Sequence, residues 1–390
     1  MAASMGLYDH DMSADRGFLC SYDAANVSLP SDLAAPAAAA RDLPRTLLTG
    51  RIRKHLEALP VLDLARFCAE APEVEIRTAM VRYSFLVQAY VWGEPHAPAV
   101  LPAQLAASIW QLARRLGQQP LLPYSAYVLD NWDRLDRSGP IALDNIGMIQ
   151  NFLAGQDEAW FVLVHVVIEA RAGEMLAQIP QVIEAADRGD ENAVEAGLAI
   201  CNRVWNDVNA IFERMPERCD PYVYFHRVQP YIHGLKDNPA LAQGLIYEGV
   251  AETGGRPHAF RGQTGSQSSI VPSMDALLGI GHAADPLRTF LDELHIYRPP
   301  AHRTFVDEVR ARSGLRGFIQ KAGSQVLREL YNTCLTSLAR FRTRHLEYAA
   351  SYIAKQHKDS AGNDTDIGTG GTPFIKYLKK HRDEAEQHLL

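Results

Sequence analysis

The chain has 390 residues, 47% of them hydrophobic and 22% charged, with a formal net charge of −7 at neutral pH. That length can bury a sizeable core, and mild acidity with no basic stripe excludes nucleic acid as a main partner. The most apolar stretch, 80–92, contains Arg82 and Gln88 and is too short to span a bilayer, so no membrane partner is expected.

Residues 1 to about 44 are rich in Pro, Ala, Asp and Ser and carry no periodicity. They are expected to wrap over the surface without forming a core. The opening MAASMGLYDHDMSADRG has neither a basic n-region nor an apolar h-region, which argues against a secretion signal. The five cysteines, Cys20, Cys68, Cys201, Cys219 and Cys334, are odd in number and form no CxxC pair. They read as reduced thiols of a cytoplasmic protein.

LTGRIRKHLEALP and DLARFCAEAP read as short helices ended by proline, and 73–93 as a strong helix stopped at Gly93. Pro102 opens another that ends at Gly117. PYSAYVLDNW and IALDNIGMIQNFLAG are read as two more, and 158–178 is apolar through FVLVHVVIEA. The 192–214 segment is amphipathic, and 222–235 is an aromatic-rich helix bent or broken at Pro230. The loop GGRPHAFRGQTGSQSS precedes helices around MDALLGI and PLRTFLDELHIY and another opened by Pro299 and Pro300.

A long helix over 326–356 follows, with apolar residues spaced by three and four along one face and no Gly or Pro inside. A Gly-rich loop, KDSAGNDTDIGTGGTP, leads into a last amphipathic helix, FIKYLKKHRDEAEQHLL. No period-two strand signal and no repeat stands out. The chain is therefore expected to be all-α, with a smaller N-terminal helical domain (1–152) packed on a larger C-terminal one (153–390).

His345 falls on the apolar face of the long helix, with Arg342 one turn earlier on the same side. Such a histidine is either a hydrogen-bonded core residue or a metal or haem ligand, and an arginine beside it would suit a haem propionate. His165, inside the apolar run 160–168, is either satisfied by a backbone carbonyl or a single donor pointing into an otherwise dry pocket. Other chemistries lack their motifs: no histidine lies three residues after a Glu, and HExxH and GxSxG are absent. GTGGT and GQTGSQ are not followed by Lys-Ser/Thr, which speaks against a phosphate loop.

The stretches SFLVQAYVWGEP, PYSAYVLDNW, WFVLVHVVIEA, PYIHGLKDNPALAQGLIYEG, TGSQSSIVPSMDALLGI, YRPPAHRTF, RTRHLEYAASYI and GTGGTPFIKYLK run in order from Ser84 to near the C-terminus. In these the chain resembles the indoleamine 2,3-dioxygenase family, whose members insert both atoms of dioxygen across the indole C2–C3 bond. The resemblance implies haem b, with iron held by His345 as proximal ligand, Arg342 approaching a propionate and Asp275 supporting the proximal side. It places Tyr124, Tyr127, Phe161 and Phe225 on the walls of the distal pocket, Thr264 and Gly265 on the loop edging it, and Thr369 on a lid. His165 sits where some members have Ser and others His, and could hydrogen-bond either dioxygen or the indole N–H.

One position departs from the family. Tryptophan-cleaving members bind the substrate carboxylate with an arginine one turn beyond the distal phenylalanine, where this chain has Gln229. Gln carries no charge and cannot form the planar fork of a guanidinium. The resemblance implies conversion of L-tryptophan to N-formyl-L-kynurenine, with O2 as co-substrate and an electron donor that keeps the haem ferrous. Gln229 leaves open another indole without a free carboxylate, or insertion of one oxygen atom. A non-enzymatic haem protein that binds a diatomic gas is the third reading, and the retained pocket and loop motifs argue against it.

Overall fold

The computed structural model describes residues 5–282, 286–356 and 374–390. Helices dominate, as expected. Five strands of two or three residues accompany them among the described residues. Val100–Leu101 runs parallel to Leu245–Tyr247, which pairs antiparallel with Pro257–His258. Trp132–Arg134 and Ile146–Met148 form an antiparallel hairpin.

The frame of the protein is a helical hairpin, Gln156–Arg188 and Glu191–Glu213, onto which Gln325–Ala349 packs. The hairpin turns at Gly189, with φ of 72°, a left-handed conformation that costs glycine little. Asp190 then caps the second helix, accepting from the Ala193 N–H. Pro180 lies inside the first helix, which runs ten residues past the 178 end read from the sequence. Gln325–Ala349 is capped by Ser324 and buries Leu327, Tyr331, Cys334, Leu335, Leu338 and Arg342, the face that its periodicity marks. The C-terminal helix Phe374–Glu386 packs against it.

Among the described residues three segments are π-turns: Ser125–Leu129, Tyr224–Val228 and Ala350–Ala354. The second immediately precedes Gln229–Ile232, where Pro230 supplies no N–H to the helical ladder. The helix expected to bend or break at Pro230 widens just before it. PYSAYVLDNW thus contributes one π-turn. IALDNIGMIQNFLAG is not a helix, because its middle is the second strand of the hairpin, held by main-chain pairing to Trp132–Arg134.

The N-terminal segment departs most from the sequence reading. Phe18, Leu19, Cys20, Leu33, Ala40 and Leu43 are all buried, and Ala34–Arg41 is a helix packed on Glu73–Trp92. Gly17 adopts φ of 58° and lies so close to the 156–188 helix that a β-carbon there would fall 2.2 Å from the Glu169 carbonyl. Gly173 faces it, and a β-carbon on Gly173 would lie 2.6 Å from the Gly17 nitrogen. The two bare backbones let the segment lie directly on the helix.

Charge anchors the same segment. Arg77 donates to both carboxylate oxygens of Asp130, at 3.2 and 2.6 Å, and also pairs with Asp11. Arg77 and Asp130 are buried, so each needs the other. Among the described residues no helix is long and apolar enough to cross a membrane.

Candidate active site

The last full turns of Gln325–Ala349 bring His345 to the wall of a cavity of about 540 Å³. Tyr124, His165, Gly265, Asp275 and Arg342 line the same cavity. Six residues singled out from scattered parts of the sequence are therefore neighbours in space. Phe212 lies between the two histidines, its ring 6.2 Å from that of His345 and 6.4 Å from that of His165.

The imidazole of His345 makes no hydrogen bond among the described residues. Burial, and secondarily the nearness of His165, pushes its pKa down to about 4, so it is neutral with lone-pair donor capacity at physiological pH. That is the form in which histidine coordinates a metal or haem iron. Among the described residues no group of three or more His, Cys, Asp or Glu could hold a metal ion.

His165 is held by a backbone carbonyl, and what its ring turns to the cavity is an acceptor, not the single donor of the alternative reading. Its Nδ1 lies 2.7 Å from the Phe161 carbonyl, one turn back on the same helix. A carbonyl can only accept, so Nδ1 carries the proton and Nε2 presents a lone pair. Burial lowers the pKa and keeps the ring neutral. Nε2 faces Gly265, where even an added methyl would stand 3.8 Å away. Thr264 caps the short turn Gly265–Gln267 with its hydroxyl and does not itself line the cavity.

Tyr127, Phe161, Phe225 and Gln229 do not line this cavity. Phe161 packs 4.7 Å from the His165 ring and 6.5 Å from Tyr127. The aromatic that covers its other side is Tyr224, at 4.8 Å, while Phe225 is fully buried and meets His226 edge-on. The Tyr127 hydroxyl, and both the carbonyl oxygen and amide nitrogen of Gln229, are buried with no hydrogen-bond partner among the described residues. Thr369 and the GTGGT loop lie outside the described residues.

Glu169 belongs to the cavity wall and was not singled out from the sequence. One carboxylate oxygen accepts from the Tyr124 hydroxyl at 3.0 Å and from Ser268 at 2.7 Å. The other oxygen is buried without a partner among the described residues. Burial raises its pKa to about 7, against the lowering effect of those two donors, well above the ordinary carboxylate range. Its signal in the sequence was the spacing of four from His165, which places both on one helical face.

Arg342 gives Asp275 two hydrogen bonds, at 2.8 and 2.7 Å, and both residues are buried. His282 stands beyond them, with Nε2 3.4 Å from Asp275 and Nδ1 2.6 Å from Glu384 of the C-terminal helix. Burial disfavours the imidazolium, but the two carboxylates outweigh it and raise the pKa above its ordinary 6.5. A raised pKa means stabilisation that is complete below pH 6.5 and lost as pH rises through the folded-state value. His282→Gln should therefore lower thermal stability at pH 6 by about 1.5 kcal/mol, the worth of a charge-assisted hydrogen bond, and by progressively less toward pH 9. Melting curves of both proteins across that range check this; a gap independent of pH would remove the imidazolium from the account.

Comparison with known proteins points the same way. The family model described as indoleamine 2,3-dioxygenase matches residues 6–388. "Indoleamine 2,3-dioxygenase 1" of Rattus norvegicus is 33% identical over 364 residues, covering 90% of this chain and 88% of its own length. The protein of that name from Mus musculus is 32% identical over 397 residues, covering 98% and 96%. A fungal relative, "Indoleamine 2,3-dioxygenase nanC" of Aspergillus nanangensis, is 31% identical over 351 residues, covering 86% and 85%.

Proposed function

Since the chain belongs to the indoleamine 2,3-dioxygenase family, a family of haem dioxygenases, we propose that it opens the indole ring of L-tryptophan to give N-formyl-L-kynurenine. The observation that carries this reading is His345, a neutral imidazole without a hydrogen bond, facing His165 across the 540 Å³ cavity. A haem b would be held by His345, with Arg342 approaching a propionate and Asp275 supporting the proximal side through Arg342. When bound, the haem supplies activation of dioxygen. Both oxygen atoms end in the product, so the electron donor serves only to keep the iron ferrous.

The protein's own part is binding and orientation. His165 offers Nε2 as an acceptor, which suits the indole N–H and holds the ring in one orientation. Donation from Nε2 to dioxygen would require an imidazolium, which burial opposes. Phe161, itself backed by Tyr224, packs against the His165 ring. Tyr124, through Glu169 and Ser268, ties the π-turn that carries it to the loop at the cavity edge. The five described cysteines are all buried free thiols, which fits a cytoplasmic location.

Gln229 favours a second reading, in which the substrate is an indole whose side chain offers an uncharged donor and acceptor. Its amide is fully buried and unpaired among the described residues, although it does not line the cavity, so this reading needs the pocket wall to open toward it. The test is kcat/KM for L-tryptophan and for neutral indoles in the wild type and in Gln229→Arg. For L-tryptophan the variant should gain roughly tenfold, the equivalent of about 1.4 kcal/mol. A neutral natural substrate would instead lose turnover, because the guanidinium would be buried unpaired. Wild-type turnover of L-tryptophan at low-micromolar KM with no gain from the Arg variant would mean that Gln229 does not set the substrate.

A further inference from the structure

Among the described residues, the cavity wall carries one arginine with no carboxylate paired to it. Arg342 is matched by Asp275, and of the other arginines on the cavity wall Arg288 pairs with Asp292 and Arg310 with Asp307. Arg298 also lines the cavity, is 3% exposed, and makes no ion pair with a carboxylate among the described residues. Its Nε donates to the Ser268 carbonyl at 3.2 Å, Nη2 to the Ser266 carbonyl at 2.8 Å, and Nη1 reaches His295 Nδ1 at 3.1 Å. Asp307 is already engaged by Arg310 and by His295.

Three of the five guanidinium N–H groups are thus used, and one remains on each terminal nitrogen. Backbone carbonyls solvate a buried cation only in part, and an unmatched buried charge is costly. Burial lowers the pKa to about 10, so the group stays protonated at neutral pH. A cation kept at such a cost on the wall of a cavity is the residue type that recognises a carboxylate by a two-pronged hydrogen bond. The YRPPAHR stretch fixes its position, because Pro299 and Pro300 start the next helix directly after it.

We infer that Arg298 is the carboxylate-binding cation of this cavity. The carboxylate comes either from the bound haem, as its second propionate, or from the indole substrate, for which Gln229 offers no charge. The inference rests on the haem dioxygenase reading and adds to it a residue that the family resemblance did not point to. Arg298 is a binding residue here and has no role in moving protons.

The experiment uses the full-length protein reconstituted with haem b or with its dimethyl ester, in wild type, Arg298→Gln and Arg298→Lys. Cofactor retention is read from the rate of haem transfer to an excess of apomyoglobin. Substrate binding is read from spectral titration of the haem with L-tryptophan and with L-tryptophan amide. If the propionate is the partner, Arg298→Gln loosens haem b by roughly 30-fold or more and leaves the ester nearly unchanged. If the substrate is the partner, the same variant weakens L-tryptophan by a similar factor and spares the amide.

Arg298→Lys keeps the charge but cannot hold both carbonyls, so it should keep most of the preference for the charged form even where the Ser266–Ser268 loop loosens. Equal losses for charged and neutral forms in both variants, or no loss in either, would reduce Arg298 to a brace for that loop and overturn the inference. A wild type that binds neither haem nor its ester would instead remove the haem reading beneath it.

Discussion

Replacing His345 by alanine is expected to yield a folded protein that no longer retains haem. His345 is the only described histidine on the cavity wall whose ring takes no hydrogen bond; His165, His282 and His295 are each engaged by a carbonyl or carboxylate. His282 and His295 have both ring nitrogens engaged, whereas His165 keeps a free Nε2 lone pair and is the one of the three that could still offer a nitrogen. The loss should exceed the roughly 10- to 100-fold weakening that follows removal of a supporting group at a metal site. Its side chain is not part of an ion pair, so the fold should survive, and far-UV circular dichroism should match the wild type. Millimolar imidazole should restore a histidine-like absorption spectrum by filling the space left by the side chain. A variant with normal haem content and an unaltered spectrum would assign the iron to another residue.

The largest effect on stability is expected from Arg77→Met. The substitution keeps the bulk of the stem but leaves Asp130 buried with no counter-charge, and it also releases Asp11. Breaking a buried pair from one side costs about 3–5 kcal/mol, several times the worth of a surface ion pair. The double variant Arg77→Met with Asp130→Asn should recover much of the loss, since the orphaned charge is what makes the single change severe. Urea unfolding of the three proteins measures both numbers. A single variant as stable as the wild type would mean that water reaches Asp130.

Regular helices were legible in the sequence because their periodicity reports burial directly. The face read off the long helix is the face buried in Gln325–Ala349, and Gly93 ends Glu73–Trp92 as its position implied. Segments held by partners distant in sequence were not legible. Phe18, Leu19 and Cys20 are buried because Gly17 and Gly173 let their backbone approach a helix some 150 residues away, and no local pattern encodes that meeting. Ile146–Met148 looked helical because its apolar residues are few and its pairing partner is invisible to a window scan. At the site, histidines in apolar runs stood out, whereas Glu169 and Arg298 did not. Their importance lies in what surrounds them, one oxygen unpaired and one charge unmatched, and both are properties of packing.

The three π-turns carry a consequence for comparison with relatives. Each holds one residue more than an α-turn would, and in Ser125–Leu129 the surplus lies between Tyr124, on the cavity wall, and Asp130, locked to Arg77. Losing one residue there would let the turn relax to ordinary helical geometry and swing Tyr124 by about 100° about the axis relative to Asp130. The tyrosine hydroxyl would leave Glu169, although the chain would be shorter by a single position. A one-residue gap aligned to this stretch therefore records a rotated aromatic ring, and it should be weighed like a substitution in the site.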